Sequence, residues 1–237
     1  MVIYTDLHIH SCLSPCADTD MTPMNICAMA KIKGLHAIAV TDHNSARNLT
    51  VMEKAAKQQE LLLLPGMEIT TREEVHLLAY FPCVESALAM GDFLYAHLPD
   101  VNNDPRIFGE QLVMDAEDAV AGEENRLLVS ATGLSLTQTV KKIIALGGLP
   151  VPAHINRGNN GMLINLGFLP EDISFPALEV AQHLPVPQRM LKGKIILHAS
   201  DAHRLGDIAE AVHALEVSEL SISGILNAIG YGCVRLT

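Results

Sequence analysis

The chain has 237 residues, 49% of them hydrophobic and 18% charged, which is enough apolar material for one sizeable core and excludes a disordered or low-complexity polypeptide. Its 16 basic and 27 acidic residues leave a net charge of -11, which argues against non-specific contact with polyphosphate backbones and gives the expectation that long nucleic acid is no partner. No apolar run has the length of a membrane span and the N-terminus lacks a signal-like pattern, so the expected location is cytoplasmic with no membrane partner. Cys12, Cys16, Cys27, Cys83 and Cys233 form an odd, widely spaced set, expected to be reduced.

In chain order, strand and helix signals alternate over the first 80 residues, predicting a parallel α/β arrangement. Val2 to Thr5 read as a strand entering Asp6-Leu7-His8-Ile9-His10. Thr22 caps a helix that has Pro23 at its first position and stops at Gly34. His36 to Val40 form a second strand ending at Thr41-Asp42-His43, and Ser45 is the expected cap of the next helix. Leu61 to Glu68 read as a third strand running past Pro65-Gly66, and Val75 to Phe81 as a fourth. From about 84 to 134 the rhythm breaks into two helix-like stretches, Ala87 to Leu98 and Ile107 to Val120, taken as a mostly helical insertion over the mouth of a barrel. Ser135 then caps a helix ending at Gly147-Gly148. Strands follow at Leu149 to Ile155, Ala177 to Ala181, Lys194 to Ala199, Val212 to Val217 and Cys233 to Leu236, with a helix over Ile222 to Ile229. No linker composition divides the chain, so 1–237 reads as a single domain with an inserted segment.

Eleven histidines would create an H-x-H by chance roughly half the time, so His8-x-His10 carries weight only through its position. Residues two apart on a strand share a face, and both imidazoles can address one ion from the strand's C-terminal end, where barrel enzymes build their sites. Asp6 shares that parity, either as a partner of a ligating histidine or as a loop cap. The same address recurs at Asp42-His43, Glu68, His76, His154 and Asp201-x-His203. So many titratable groups at strand ends are costly to bury unless paired or metal-bound, which points to one shared polar site. Imidazoles with carboxylates suit Zn, Mn or Fe, and the number of donors exceeds one tetrahedral shell, which implies two or three divalent ions with Glu68 able to bridge a pair. His36, His97, His183, His198 and His213 fit no motif and read as structural. Asp42 stays open between ligand and loop hydrogen-bonder.

The strings DLHIHS, VTDHNS, GMEIT, EVHLLAY, PAHINR and SDAH, in this order across positions 6 to 203, resemble the polymerase-and-histidinol-phosphatase (PHP) superfamily of metal-dependent phosphoesterases. The resemblance implies a distorted (β/α)7 TIM-like barrel with a trinuclear site. It implies that His8, His10, Glu68 and Asp201 hold one metal, that Glu68, His76 and His154 hold a second, and that His43 and His203 hold a third. The third ion's remaining ligand is open among Cys16, Asp18 and Asp20, where many relatives carry His or Asp. The implied reaction is hydrolysis of a small phosphomonoester (a nucleotide, nucleoside bisphosphate or histidinol phosphate) by metal-activated hydroxide. Glu68, Asp201 and His203 are then the catalytic set, with His203 an acid for the leaving group. Arg157 is the expected phosphate clamp, with Arg204 and Arg72 as weaker candidates. The alternatives are an amidohydrolase-like metal hydrolase and a non-catalytic metal-binding regulatory module; oligomeric state is open.

Overall fold

The computed structural model describes residues 1–236. In order, the elements are β1 (Val2–Ile9), α1 (Pro23–Ile32), β2 (Ala37–Val40), α2 (Leu49–Gln58), β3 (Leu62–Leu63), β4 (Gly66–Thr70), β5 (His76–Tyr80) and α3 (Val84–Tyr95). Next come α4 (Pro105–Phe108), β6 (Leu112–Met114), β7 (Val120–Glu123), α5 (Leu136–Ala145), β8 (Leu149–Pro152), α6 (Met162–Asn165), β9 (Ile173–Ser174) and β10 (Ala177–Glu179). The chain ends with α7 (Gln188–Leu191), β11 (Ile195–Leu197), a short 3-10 turn Leu205–Asp207, β12 (Ala214–Glu216), α8 (Ile222–Ile229) and β13 (Arg235–Leu236). No helix among the described residues is long and apolar enough to cross a membrane.

The strand alternation sorts apolar side chains into two layers. Ile38, Val40, Met67, Ile69, Leu77 and Ala79 face one layer, packed with Ile26 of α1, Met52 of α2 and Val140 and Ile143 of α5. Ala37, Ala39, Leu78, Tyr80, Leu149 and Val151 face the other, closed by Ile225, Leu226 and Ile229 of α8. Strands buried on both faces read as continuous apolar runs, as β2 does. Each fully buried large side chain contributes about 1.5–3 kcal/mol, so these layers fix the strands on which the polar rim is built.

Capped helices follow the sequence closely. Thr22 accepts the Asn25 N–H at the start of α1, and Ser135 with Gln138 forms a reciprocal capping box on α5. Other expectations are corrected. α2 begins after Asn48 and not at Ser45, and the Asn48 amide ties that start to its surroundings, donating to Ser11 Oγ and to Leu112 O of the inserted segment and accepting from Met114 N. The strand expected over Leu61 to Glu68 is two. Pro65 has no N–H for a ladder, so β3 pairs parallel with β2 while β4 turns to pair antiparallel with β5. Strand order is therefore mixed, not parallel: β5 also pairs antiparallel with β8, and β12 with β1. The stretch Ile107 to Val120 is not a helix. Gly109, at φ 96°, ends the single turn of α4, and the Asp115 carboxylate accepts the N–H groups of Glu117 and Ala119, turning the chain into the β6–β7 hairpin.

The ladders form five pieces among the described residues: β12-β1-β2-β3, β4-β5-β8, β10-β11, β13-β9 and β6-β7. They do not join into one closed barrel sheet, and a mixed α/β fold is what the pairing establishes. Isolated parallel bridges, Ile9 to Ala202 and His43 to Glu68, stitch pieces together at the rim where the histidines gather.

Candidate metal centre

Glu68, on the face of β4 opposite Met67 and Ile69, is 1% exposed and faces five imidazoles. Its Oε1 lies 2.8 Å from His76 Nδ1, 3.0 Å from His154 Nε2 and 3.4 Å from His8 Nε2. Its Oε2 lies 3.0 Å from His43 Nδ1 and 3.4 Å from His10 Nε2. Because β5 runs antiparallel to β4, His76 at the start of β5 reaches the same rim as residues at the ends of parallel strands. Asp201, beyond β11, brings Oδ1 to 3.2 Å from His8 Nε2 and 3.1 Å from His10 Nε2. The rings of His10 and His203 stack with centroids 4.3 Å apart. The structure thus brings together His8, His10, His43, Glu68, His76, His154, Asp201 and His203, all eight of the expected ligands.

The far ring nitrogens are occupied in a way that fixes tautomers. His8 Nδ1–H donates to Glu179 Oε2 at 2.9 Å. Ser14 Oγ gives its one proton to Asp42 Oδ1 at 2.8 Å, so His10 Nδ1–H donates to Ser14 Oγ at 3.0 Å. His203 Nδ1–H donates to the Asp201 carbonyl at 2.8 Å. Each of these imidazoles then presents Nε2 to the cluster. His76 Nε2 is held at 2.6 Å by the side-chain amide of Asn160, leaving Nδ1 toward Glu68. Asp42, bound to Ser11 N, Ser11 Oγ and Ser14 Oγ, organises this loop as a hydrogen-bonder. Asp6 takes the cap role, accepting from Ser200 N, Ser200 Oγ and Ala209 N, while burial pushes its carboxyl up.

Burial opposes charge on every ring here, and the acids decide which rings keep it. For His8, burial is outweighed by Glu179, Asp201 and Glu68, which raise it well above its ordinary value. Burial is likewise overcome at His10 by Asp201 and Glu68, and at His43 by Cys16 and Glu68, each reaching about 9. His203 is pulled down to about 4 by burial and His10, and is neutral near pH 7, which suits a lone-pair donor better than an acid. Burial also lowers His76. Burial works against ionising Glu68 and Asp201 too, yet the surrounding imidazoles hold both well below the carboxylate range.

These residues fit divalent ions. Donor atoms of His8, His10, Glu68 and Asp201, of His43, Glu68 and His76, and of His10, His43 and His203 lie within 4.8 Å of one another in each group. His8 Nε2 and His10 Nε2 face each other at 3.2 Å with both Nδ1 atoms already donating, an arrangement that calls for a cation or proton between them. The buried atoms His43 Nδ1 and Asp201 Oδ1, although close to Glu68 and to His8 and His10, make no hydrogen bond of proper geometry among the described residues. His154, Asp201 and Asn44 hold left-handed backbones at φ 25°, 53° and 49°, strain that gathers at this rim.

Of the candidates near the third group, Cys16 reaches the His43 ring. Asp18 instead pairs with Arg204 at 3.5 Å on the surface, and Asp20 is exposed. Arg204 therefore stands away from the cluster, as does Arg72, which faces Glu73. Arg157, half exposed, ion-pairs with Asp201 at the rim. Sequence reasoning missed Glu179, Ser14 and Asn160. Glu179 alone had a signal, an acid closing the apolar strand Ala177-Leu178.

The sequence profile of the PHP domain matches residues 6–148. The chain belongs to the PHP family. That family is one of metal-dependent phosphoesterases and hydrolases. An uncharacterized protein of Methanocaldococcus jannaschii is 28% identical to this PHP chain over 168 residues, which make up 71% of this chain and 18% of that protein. The lesion-specific endonuclease PfuEndoQ of Pyrococcus furiosus has a similar fold, with a TM-score of 0.72 at 19% identity over 100% of this chain and 58% of that one. An Endonuclease Q complex with a 27-mer duplex carrying an abasic lesion at the active site gives 0.69 at 17% identity, again over 100% of this chain and 58% of that one. A protein of Bifidobacterium adolescentis described as a metal-dependent phosphoesterase gives 0.62 at 18% identity over 94% of this chain and 96% of that one. The PHP chain thus spans less than a fifth of the curated relative and a little over half of the endonuclease.

The expectation that long nucleic acid is no partner does not stand, because a protein of this fold binds a DNA duplex. Net charge is a sum over the whole surface, whereas phosphate is recognised by the local field of a rim, which bound cations and a single guanidinium can reverse.

Proposed function

We propose that this chain is a metal-dependent phosphoesterase whose centre is the cluster around Glu68. The observation that carries the reading is the convergence of five imidazoles on that one buried carboxylate, with Asp201 beside it. In this reading His8, His10, Glu68 and Asp201 hold one ion, Glu68, His76 and His154 a second, and His43 with His203 a third. The donor set suits Zn, Mn or Fe, and Glu68 would be shared between two such ions. Such ions, when bound, supply Lewis acidity toward a phosphoryl oxygen and acidify a water.

The remaining work belongs to side chains. Glu179, Ser14 and the Asp201 carbonyl hold His8, His10 and His203 in the tautomers that donate lone pairs. Arg157 leaves Asp201 to clamp the substrate phosphate, its planar fork matching two oxygens. The parallel bridges of Ile9 to Ala202 and of His43 to Glu68 at the rim support the distorted (β/α)7 barrel, and the chain is read as one domain with its 84–134 insertion.

A small phosphomonoester is the proposed substrate. A cavity of about 540 Å3 opens beside Asp201 and Arg157, lined also by Gln182, His183 and His213, a size suited to a small leaving group. A second reading, a phosphodiester in damaged DNA, is favoured by the fold likeness to the lesion-specific endonuclease. The test is turnover by the purified chain with Mn, Zn, Fe or a chelator, on p-nitrophenyl phosphate, a panel of small phosphomonoesters and a duplex bearing an abasic site. Chelation, His10→Ala and Glu68→Ala are each expected to lower turnover by more than the roughly 10–100-fold that loss of an outer hydrogen-bond partner costs. Turnover that survives all three overturns the metal mechanism, and cleavage of the duplex alone overturns the phosphomonoester.

A further inference from the structure

We propose that Asn44 is a positioning residue that couples the inserted segment to the His43–Glu68 contact. Asn44 is 1% exposed, follows His43 directly, and sits at φ 49°, a left-handed conformation that Asn tolerates better than most side chains. Its backbone N–H donates to Glu68 O at 2.8 Å. Its Oδ1 accepts Thr70 N–H at 3.1 Å, two residues further along β4. Its Nδ2 donates to Leu128 O at 2.7 Å and to Ser130 O at 3.0 Å, both in the insertion. One amide therefore spends both its donors on the insertion and its acceptor on the strand carrying Glu68.

The geometry has a second thread. Thr132 N–H and its hydroxyl both donate to Thr70 O, so the insertion also grips β4 directly, at the residue whose N–H binds Asn44. Further out, Asn48 binds Leu112 and Met114, and Asp118 accepts Met24 N–H at the start of α1. With Leu112 N–H donating to Cys12 O, the segment is thus clasped to β4, which carries Glu68, and to the loops that follow His10 and His43. Moving residues 128–130 moves the Asn44 amide, and with it the 3.0 Å separation of His43 Nδ1 and Glu68 Oε2. No other side chain does the same work at this position: Asp lacks the two donors, and Gly keeps the backbone but drops the link.

This inference rests on the metal reading above, and the experiment separates the two. Wild-type chain, Asn44→Gly and Asn44→Asp are stripped and titrated with Mn2+ or Co2+, recording ions bound per chain, affinity and the visible spectrum of the Co2+ form. Both variants are expected to bind the ions roughly 10–100-fold more weakly, with an altered Co2+ spectrum, as for loss of an outer partner of a ligand. A fall in thermal stability alone, with ion count, affinity and spectrum unchanged, overturns the proposal. Should a variant fail to fold, hydrogen exchange on the wild type decides. Coupling is reciprocal, so adding Mn2+ must slow exchange at Ser130 and Thr132, and unchanged exchange there overturns the proposal. A wild-type chain that binds no ion overturns the metal reading, and this inference with it.

Discussion

His8 needs a partner for the ring nitrogen that faces away from the cluster, and Glu179 supplies it from β10, 171 positions along the chain. A buried carboxylate there fixes the tautomer and makes Nε2 a stronger donor. Glu179→Leu is therefore expected to weaken metal binding toward the far end of the about 10–100-fold range, and Glu179→Gln, which still accepts the bond but carries no charge, toward the near end. Competition against a chromophoric chelator measures both, and equal affinities would mean that the charge is idle. The eight clustered residues were legible as a group because they recur on or just past short apolar strands, where an imidazole or acid has no core reason to be. Their supports were not. Ser14, Asn44 and Asn160 are ordinary loop residues in sequence, and only the folded chain shows that one binds His10, one binds Glu68 O and one binds His76.

At the scale of elements, helices with strong caps were legible to within a residue or two, because Thr22-Pro23 and Ser135-x-x-Gln138 satisfy their own N-termini locally. Pairing direction was not legible: β4 and β5 are apolar runs whose antiparallel register depends on a turn, and the hairpin β6–β7 hides in a sequence with helical spacing. The loop after His154 shows how local backbone serves the site. A Cβ on Gly161 would lie 2.4 Å from Arg157 O and 2.9 Å from His154 O, both backbone atoms that cannot step aside alone. Gly161→Ala is expected to displace the loop, loosening Asn160 from His76 and Arg157 from Asp201. Overpacking typically costs about 1–3 kcal/mol, which thermal unfolding would register. The larger loss should appear in kcat/KM. A variant that loses stability while keeping full turnover would show that this loop does not position the site.

The molecule as a whole carries its site as a dense charge cluster, and this sets how the metal-free chain responds to pH. His10 and His43 have values raised to about 9, above the 6.5 of an unfolded imidazole. Their contribution to stability is complete below about pH 6.5 and is lost as pH rises through about 9. His203 runs the other way, lowered to about 4, so its contribution is complete above about pH 6.5 and is lost as pH falls. Glu68 and Asp201, held low by the imidazoles, likewise contribute above the unfolded carboxylate range and lose that contribution in acid. The chelated chain should therefore be most stable near pH 6.5 and should weaken in both directions. Metal-loaded chain should diverge on the alkaline side, because ions must displace protons from His8, His10 and His43 and so bind more tightly as those protons leave. Thermal midpoints from pH 5 to 9, with and without Mn2+, give the comparison. Two curves that fall in parallel between pH 6.5 and 9 would mean that the ions do not compete with those protons, and that the imidazoles around Glu68 are not where they bind.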